Sequence, residues 1–144
     1  FFEKDLSMME TCMCWGIECG DGWYNIIDSL CFSIKCNVER TIEDIERFEG
    51  YLSSEDLSEE AFEEFSKRLE ILRDKPTKVR ATQVKEKYGT LRFYTDSICP
   101  EIEAMIDLAE NISSVTCEVC GNPGKINDGG WLSVRCDSCR SSEG

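Results

Sequence analysis

The chain has 144 residues, 41% of them hydrophobic and 10% aromatic, which suits one compact domain, or one domain with a small appended module, and argues against wholesale disorder. Its 16 basic and 29 acidic residues leave a formal net charge of -13, which argues against wrapping of nucleic acid, because the phosphate backbone calls for a net basic surface. Histidine is absent, which excludes a Ser-His-Asp triad, a Cys-His pair, histidine-ligated zinc catalysis and a histidine general base.

Residues 10–21 read as a loop rich in cysteine and glycine. Gly16, Gly20 and Gly22 imply tight turns with the backbone close to a neighbour. Asp21 is placed to cap the helix that follows. Trp23, Ile26, Ile27, Leu30 and Ile34 recur at helical spacing and predict an amphipathic helix over about 22–37. Ile42, Ile45 and Phe48 predict a second helical stretch near 40–49, and 50–57 is a polar break. Phe62, Phe65, Leu69 and Leu72 form a further stripe, with Ser58 as N-cap and an end before Pro76. Val79 to Lys87 and Leu91 to Tyr94 flank Tyr88-Gly89-Thr90 and predict a β-hairpin. Leu91 and Phe93 should share one face of its second strand, Arg92 and Tyr94 the other. Pro100 opens a helix carrying Ile102, Met105, Ile106 and Ala109.

The last segment holds Cys117-Glu118-Val119-Cys120-Gly121 and, with fifteen residues between Cys120 and Cys136, Cys136-Asp137-Ser138-Cys139. This C-x2-C-x15-C-x2-C spacing points to tetrahedral zinc. Four thiolates leave no open position, so one structural Zn2+ per chain is expected, replacing core burial that so short a segment cannot supply. Two reduced pairs or two disulfides are the alternatives. The module offers only Lys125, Arg135 and Arg140 as cations, with Trp131 as a stacking ring, and reads as a structural clamp.

Among the ten cysteines, Cys12, Cys14 and Cys19 cluster in the glycine-rich loop, and Cys31, Cys36 and Cys99 are dispersed. Reduced, partly buried thiols are expected there, with a second metal at Cys12, Cys14 and Cys19 as the alternative. An even cysteine number would suit a secreted disulfide framework, but the paired C-x-x-C spacing favours a reducing cytosol. No stretch reaches the roughly 18 consecutive apolar residues of a spanning helix. Phe1-Phe2-Glu3-Lys4-Asp5-Leu6 lacks the basic-then-apolar layout of a signal peptide.

Charge is uneven along the chain. Residues 39–70 hold twelve acidic and four basic residues, whereas 67–92 hold nine basic and three acidic. Acidic helices and a basic hairpin could simply neutralise each other; the sharper reading is a local patch for an anionic ligand. Trp15, Glu18, Asp21 and Trp23 in the loop, with Lys85, Lys87, Tyr88, Arg92 and Tyr94 on the hairpin, supply what a nucleotide pocket needs. Rings stack a base, carboxylates take hydroxyl or amino groups, and cations take phosphate. Alternatively the tryptophans are core anchors, Asp21 is a cap and the hairpin charges are solvated.

Three blocks stand in order: C-W-G-I-E-C-G-D-G-W-Y at 14–24, V-K-E-K-Y-G-T-L-R-F-Y at 84–94, and C-E-V-C-G-N-P-G with G-W-L-S-V-R-C-D-S-C at 117–139. In these blocks the chain resembles a family of small proteins encoded mainly by bacteriophages and prophages. The resemblance implies an accessory protein in the cytoplasm of a bacterial host and, by analogy, a counter-defence role; it implies no mechanism.

The expected fold is α+β: helices packed on a small antiparallel hairpin sheet over 1–114, with a zinc-ribbon-like module packed on it over 115–144. The leading functional expectation is non-enzymatic sequestration of a small anionic, nucleotide-type ligand. The alternatives are a protein that inhibits a host protein through its acidic helices, and a small hydrolase using Glu18 and Asp21. Membranes and nucleic acid are not expected partners, and a homo-oligomer is left open.

Overall fold

The computed structural model describes residues 9–127 and 129–142; the Phe1–Leu6 stretch discussed above lies outside them. The architecture is α+β. Helix α1 runs Tyr24–Leu52, α2 Glu59–Arg73 and α3 Pro100–Ser113. Strands β1 (Ile17–Glu18), β2 (Ala81–Lys87) and β3 (Thr90–Thr95) form one sheet in that order. A second, two-stranded sheet joins β4 (Lys125–Ile126) to β5 (Val134–Arg135), and the short helix α4 (Asp137–Ser141) follows. No described helix is long and apolar enough to cross a membrane.

The two helical stretches predicted over 22–37 and 40–49 are one 29-residue helix. Its buried stripe continues from Ile34 through half-buried Val38 to Thr41 and Phe48, all at helical spacing. The polar member, Thr41, is accommodated because its hydroxyl donates to Asn37 O at 3.0 Å. Asp21 does not cap α1. It opens a 310 turn, Asp21–Trp23, that leads into the helix. Ser58 does cap α2, its hydroxyl accepting from Ala61 N at 3.3 Å.

The hairpin turns through Tyr88 and Gly89, at φ 54° and φ 80°. Positive φ at both central residues matches the right-handed twist of the strands they join. Arg80 and Asp96 close its open end, with Arg80 Nε donating to Asp96 Oδ2 at 2.7 Å. The sheet is mixed rather than purely antiparallel: β1 pairs parallel to β2, Ile17 opposite Val84 and Glu18 opposite Lys85. A two-residue strand followed by glycines carries too weak a period to be seen in the sequence.

The inner face of the sheet carries Val84, Leu91 and Phe93. These share one core with Trp23, Ile27, Leu30 and Ile34 of the α1 segment, Ile102, Ile106 and Ala109 of α3, and Val134 of the cysteine-rich module. Helix α3 also covers the free edge of β3. Leu91 N donates to Ser113 Oγ at 2.9 Å and Phe93 N to Glu110 Oε1 at 3.1 Å, which satisfies an edge that would otherwise be open to pairing. The second half of α1 and α2 form an arm outside this core. Phe48, Tyr51 and Phe65 make an aromatic cluster there, with Phe48 and Phe65 centroids 5.5 Å apart, and Arg73 pairs with Glu49 at 2.6 Å.

Candidate metal centre and ligand face

The four cysteines of the paired motif converge, with all four Sγ atoms within 4.8 Å of one another. A tetrahedron with metal–sulfur bonds of about 2.3 Å has edges of about 3.8 Å; Cys120 Sγ and Cys136 Sγ are 3.5 Å apart. The donor set therefore fits a tetrahedral metal of the soft or borderline class. The first knuckle closes through Gly121 at φ 76°, whose amide donates to Cys117 O at 2.9 Å. The second is built at the start of α4, where Arg140 N donates to Cys136 O at 3.0 Å.

Burial opposes ionisation of Cys117, but the backbone amides of Cys136, Cys120 and Val119 aim at its sulfur and hold its pKa at about 6. Cys139 is pushed up to about 12, mainly by sharing hydrogen bonds with the Cys136 and Cys120 sulfurs. Negative charge thus settles on Cys117 ahead of Cys139. A bound cation would bind all four sulfurs as thiolates.

The glycine-rich loop is part of this centre's support. Gly22 N donates to Glu118 O at 2.8 Å, and Gly20 N donates to the Glu118 carboxylate at 3.0 Å. A Cβ on Gly20 would lie 2.4 Å from Glu118 O, and one on Gly22 would lie 2.3 Å from Cys117 O. The close neighbour implied by these glycines is therefore the first cysteine knuckle. Gly89 at the hairpin tip is also buried, with Ile126 and the 132–133 backbone of the module against it.

The nine residues expected to meet a ligand separate into distinct places. Trp23 is 0% exposed and its indole N–H donates to Thr116 O at 2.8 Å. It anchors the core, and the expectation that it stacks on a ligand is corrected, because neither ring face is accessible. Asp21 stands beside Tyr24 at the head of α1, where its charge, first among the causes, raises the phenol's pKa. Arg92 is tied into the β3–α3 seam, donating to Leu91 O and Thr90 Oγ1 at 2.7 Å each and to Glu110 Oε2 at 3.3 Å.

Glu18, Lys85 and Arg92 lie side by side across the three strands, on the face opposite Val84 and Phe93. Tyr94 is on the same face, and Lys85 Nζ lies 5.8 Å from its ring centroid. Trp15, 79% exposed, lines a groove of about 620 Å3 with Tyr94 and Gln83. Lys87 extends the row toward the turn, its Nζ 5.3 Å from the Tyr88 ring centroid. Lys85 and Lys87 form no ion pair among the described residues, whereas Arg68, Arg73, Lys75, Arg80 and Arg92 each have a carboxylate partner.

Cys12, Cys14 and Cys19 do not converge as metal ligands; among the described residues the paired-motif cysteines are the one such group. Burial, helped by the Glu118 and Asp21 charges, pushes the Cys19 thiol up to about 12. No family model, curated protein or solved structure matches this chain.

Proposed function

We propose that this chain is a non-enzymatic binding protein, stapled by a structural zinc ion, that sequesters a small anionic, nucleotide-type ligand on the outer face of its sheet. The observation that carries this reading is the pair of lysines, Lys85 and Lys87, that lie over exposed tyrosine rings and form no ion pair among the described residues, in a chain of net charge -13. Zinc is the metal favoured by four thiolates with no open position, and in that role it supplies folding free energy rather than chemistry. Lys85 and Lys87 would meet phosphate, Trp15 and Tyr94 would stack on a base, and Glu18 would take a hydroxyl or amino group. The family resemblance of the three sequence blocks supports a phage accessory role in a bacterial cytoplasm, with an immune-signalling nucleotide as the ligand held.

Titration calorimetry with adenosine and guanosine mono- and diphosphates tests the ligand reading. Binding that weakens about tenfold in Lys85→Ala, weakens with salt, and returns each nucleotide chemically unchanged is the expected result. Absence of binding at millimolar nucleotide, or recovery of a converted product, overturns it. Elemental analysis tests the metal, with one zinc per chain expected; iron or no metal in freshly purified protein would refute zinc.

A second reading rests on the arm. Glu59, Glu60, Glu63 and Glu64 are all exposed on α2, outside the main core. Such a surface suits a basic patch on a host protein. Changing Glu60 and Glu64 to Lys should abolish a host complex seen in a pull-down; equal retention by the reversed variant removes this reading.

A further inference from the structure

Two clefts with exposed aromatic rings lie toward opposite ends of the β2–β3 hairpin. At one end Trp15 and Tyr94 line the groove beside Gln83. At the other, Tyr88 and Trp131 line a second cleft of about 510 Å3, together with Lys87 and Leu132. Both volumes fall in the usual range of small-molecule sites, roughly 300–1,000 Å3. The row pairing Gln83 with Tyr94 and the row pairing Lys87 with Thr90 are four residues apart along the strands. At about 3.3 Å per residue, they are separated by about 13 Å.

The second cleft is built, rather than a chance meeting of surface rings. Tyr88 is 69% exposed and Trp131 82% exposed. Asn127 Nδ2 donates to Trp131 O at 2.8 Å and Ser133 N donates to Asn127 Oδ1 at 2.9 Å, bracing the segment that presents the indole. Tyr88 occupies a left-handed turn position, φ 54°, that glycine or asparagine adopts more readily. The carboxylate of Glu86 is turned onto Gly89 N at 2.6 Å, which leaves Lys87 as the cation of the cleft.

Resting on the nucleotide reading above, we infer that the ligand carries two nucleobases joined by a phosphate linker. One base stacks at Trp15 and Tyr94, the other at Tyr88 and Trp131, and the linker crosses Lys85 and Lys87. Charge complementarity selects this occupant: the ring sites lie at the two ends, and Lys85 and Lys87, which form no ion pair among the described residues, lie along the strand that leads from one to the other. A mononucleotide reaches one ring site only, and a long single strand would meet the repulsion of a chain of net charge -13.

Calorimetry of the intact protein with adenosine monophosphate, diadenosine diphosphate, diadenosine tetraphosphate and a thymidine hexanucleotide tests this. At least one diadenosine ligand should bind at least tenfold more tightly than the monophosphate. Trp15→Ala and Trp131→Ala should each bring that ligand back toward the monophosphate affinity. Both indoles are exposed, so both variants should retain the melting temperature of the parent. Equal affinity for one and two bases, with Trp131→Ala silent, overturns the two-base inference and leaves a one-base site standing. No binding of any nucleotide overturns both. Tighter binding of the hexanucleotide than of either diadenosine ligand overturns it in favour of single-stranded nucleic acid.

Discussion

The amide of Gly22 donates to the carbonyl oxygen of Glu118 at 2.8 Å, joining the loop before α1 directly to the first cysteine knuckle. Gly20 binds the carboxylate of the same glutamate, and Trp23 reaches back to Thr116. The cysteine module is therefore clamped at its first knuckle by a segment almost a hundred residues earlier in the chain, and changes on either side of the clamp should be felt on the other.

A methyl group at Gly22 would sit 2.3 Å from Cys117 O and 2.6 Å from Gly121 N, both backbone atoms of the knuckle. Gly22→Ala should cost about 1–3 kcal/mol of stability, as overpacking does, and should speed metal release to a chromogenic chelator. Gly50 provides the contrast, because it lies in α1 with nothing within 4 Å of its virtual Cβ. Gly50→Ala should stabilise by about 0.5–1 kcal/mol and leave metal release unchanged. Thermal melts and release kinetics of the two variants check both expectations.

Removing the metal should loosen more than the module that holds it. Metal-binding free energy is also folding free energy, so chelation should raise amide exchange over 115–140. The clamp predicts that residues 17–23 follow, since the Gly20 and Gly22 amides lose an ordered Glu118. Hydrogen-exchange mass spectrometry with and without chelator reads this directly. Unchanged exchange over 17–23 would show the clamp to be independent of the metal.

Ser113 is 0% exposed and its hydroxyl accepts the outward amide of Leu91, also buried, while donating to Glu110 O at 2.6 Å. Ser113→Ala leaves a buried donor on an edge strand unpaired, a loss of about 1–3 kcal/mol. The neighbouring Ser114 hydroxyl donates to Asn111 O of its own helix at 2.6 Å, so Ser114→Ala should stay within about 0.5 kcal/mol of the parent. Urea unfolding of the two variants separates them.

Glu101 is held at about 2, first by the hydrogen bond from Lys75 and then by its own amide and Cys99. Its ordinary value is about 4.3. A depressed carboxylate stabilises the fold above its unfolded value, and the contribution fades as pH falls through the folded value. Stability should therefore decline between about pH 4.5 and pH 2, and Glu101→Gln should show a shallower decline over that interval. Identical slopes would place the acid sensitivity elsewhere, with the cysteine centre as the alternative.

The amphipathic stripe of α3 after Pro100, the Ser58 cap, the in–out alternation of Leu91 to Tyr94 and the convergence of the four paired-motif cysteines were legible from sequence alone. Each is a local pattern, set by a residue's own backbone preference or by spacing along one element. The continuity of α1 was nearly legible, since Val38 and Thr41 sit in phase with Ile34, but a polar side chain at a core position hides the stripe until its bond to Asn37 is seen. Tertiary structure alone decided what the loop glycines approach, that Trp23 is buried, that Arg92 serves the β3–α3 seam, and that Trp131 faces the hairpin tip. Those facts depend on contacts between segments far apart in the chain. Spacing within a segment says which side chains share a face, but the packing of one segment on another decides whether that face meets solvent, a ligand or a backbone carbonyl.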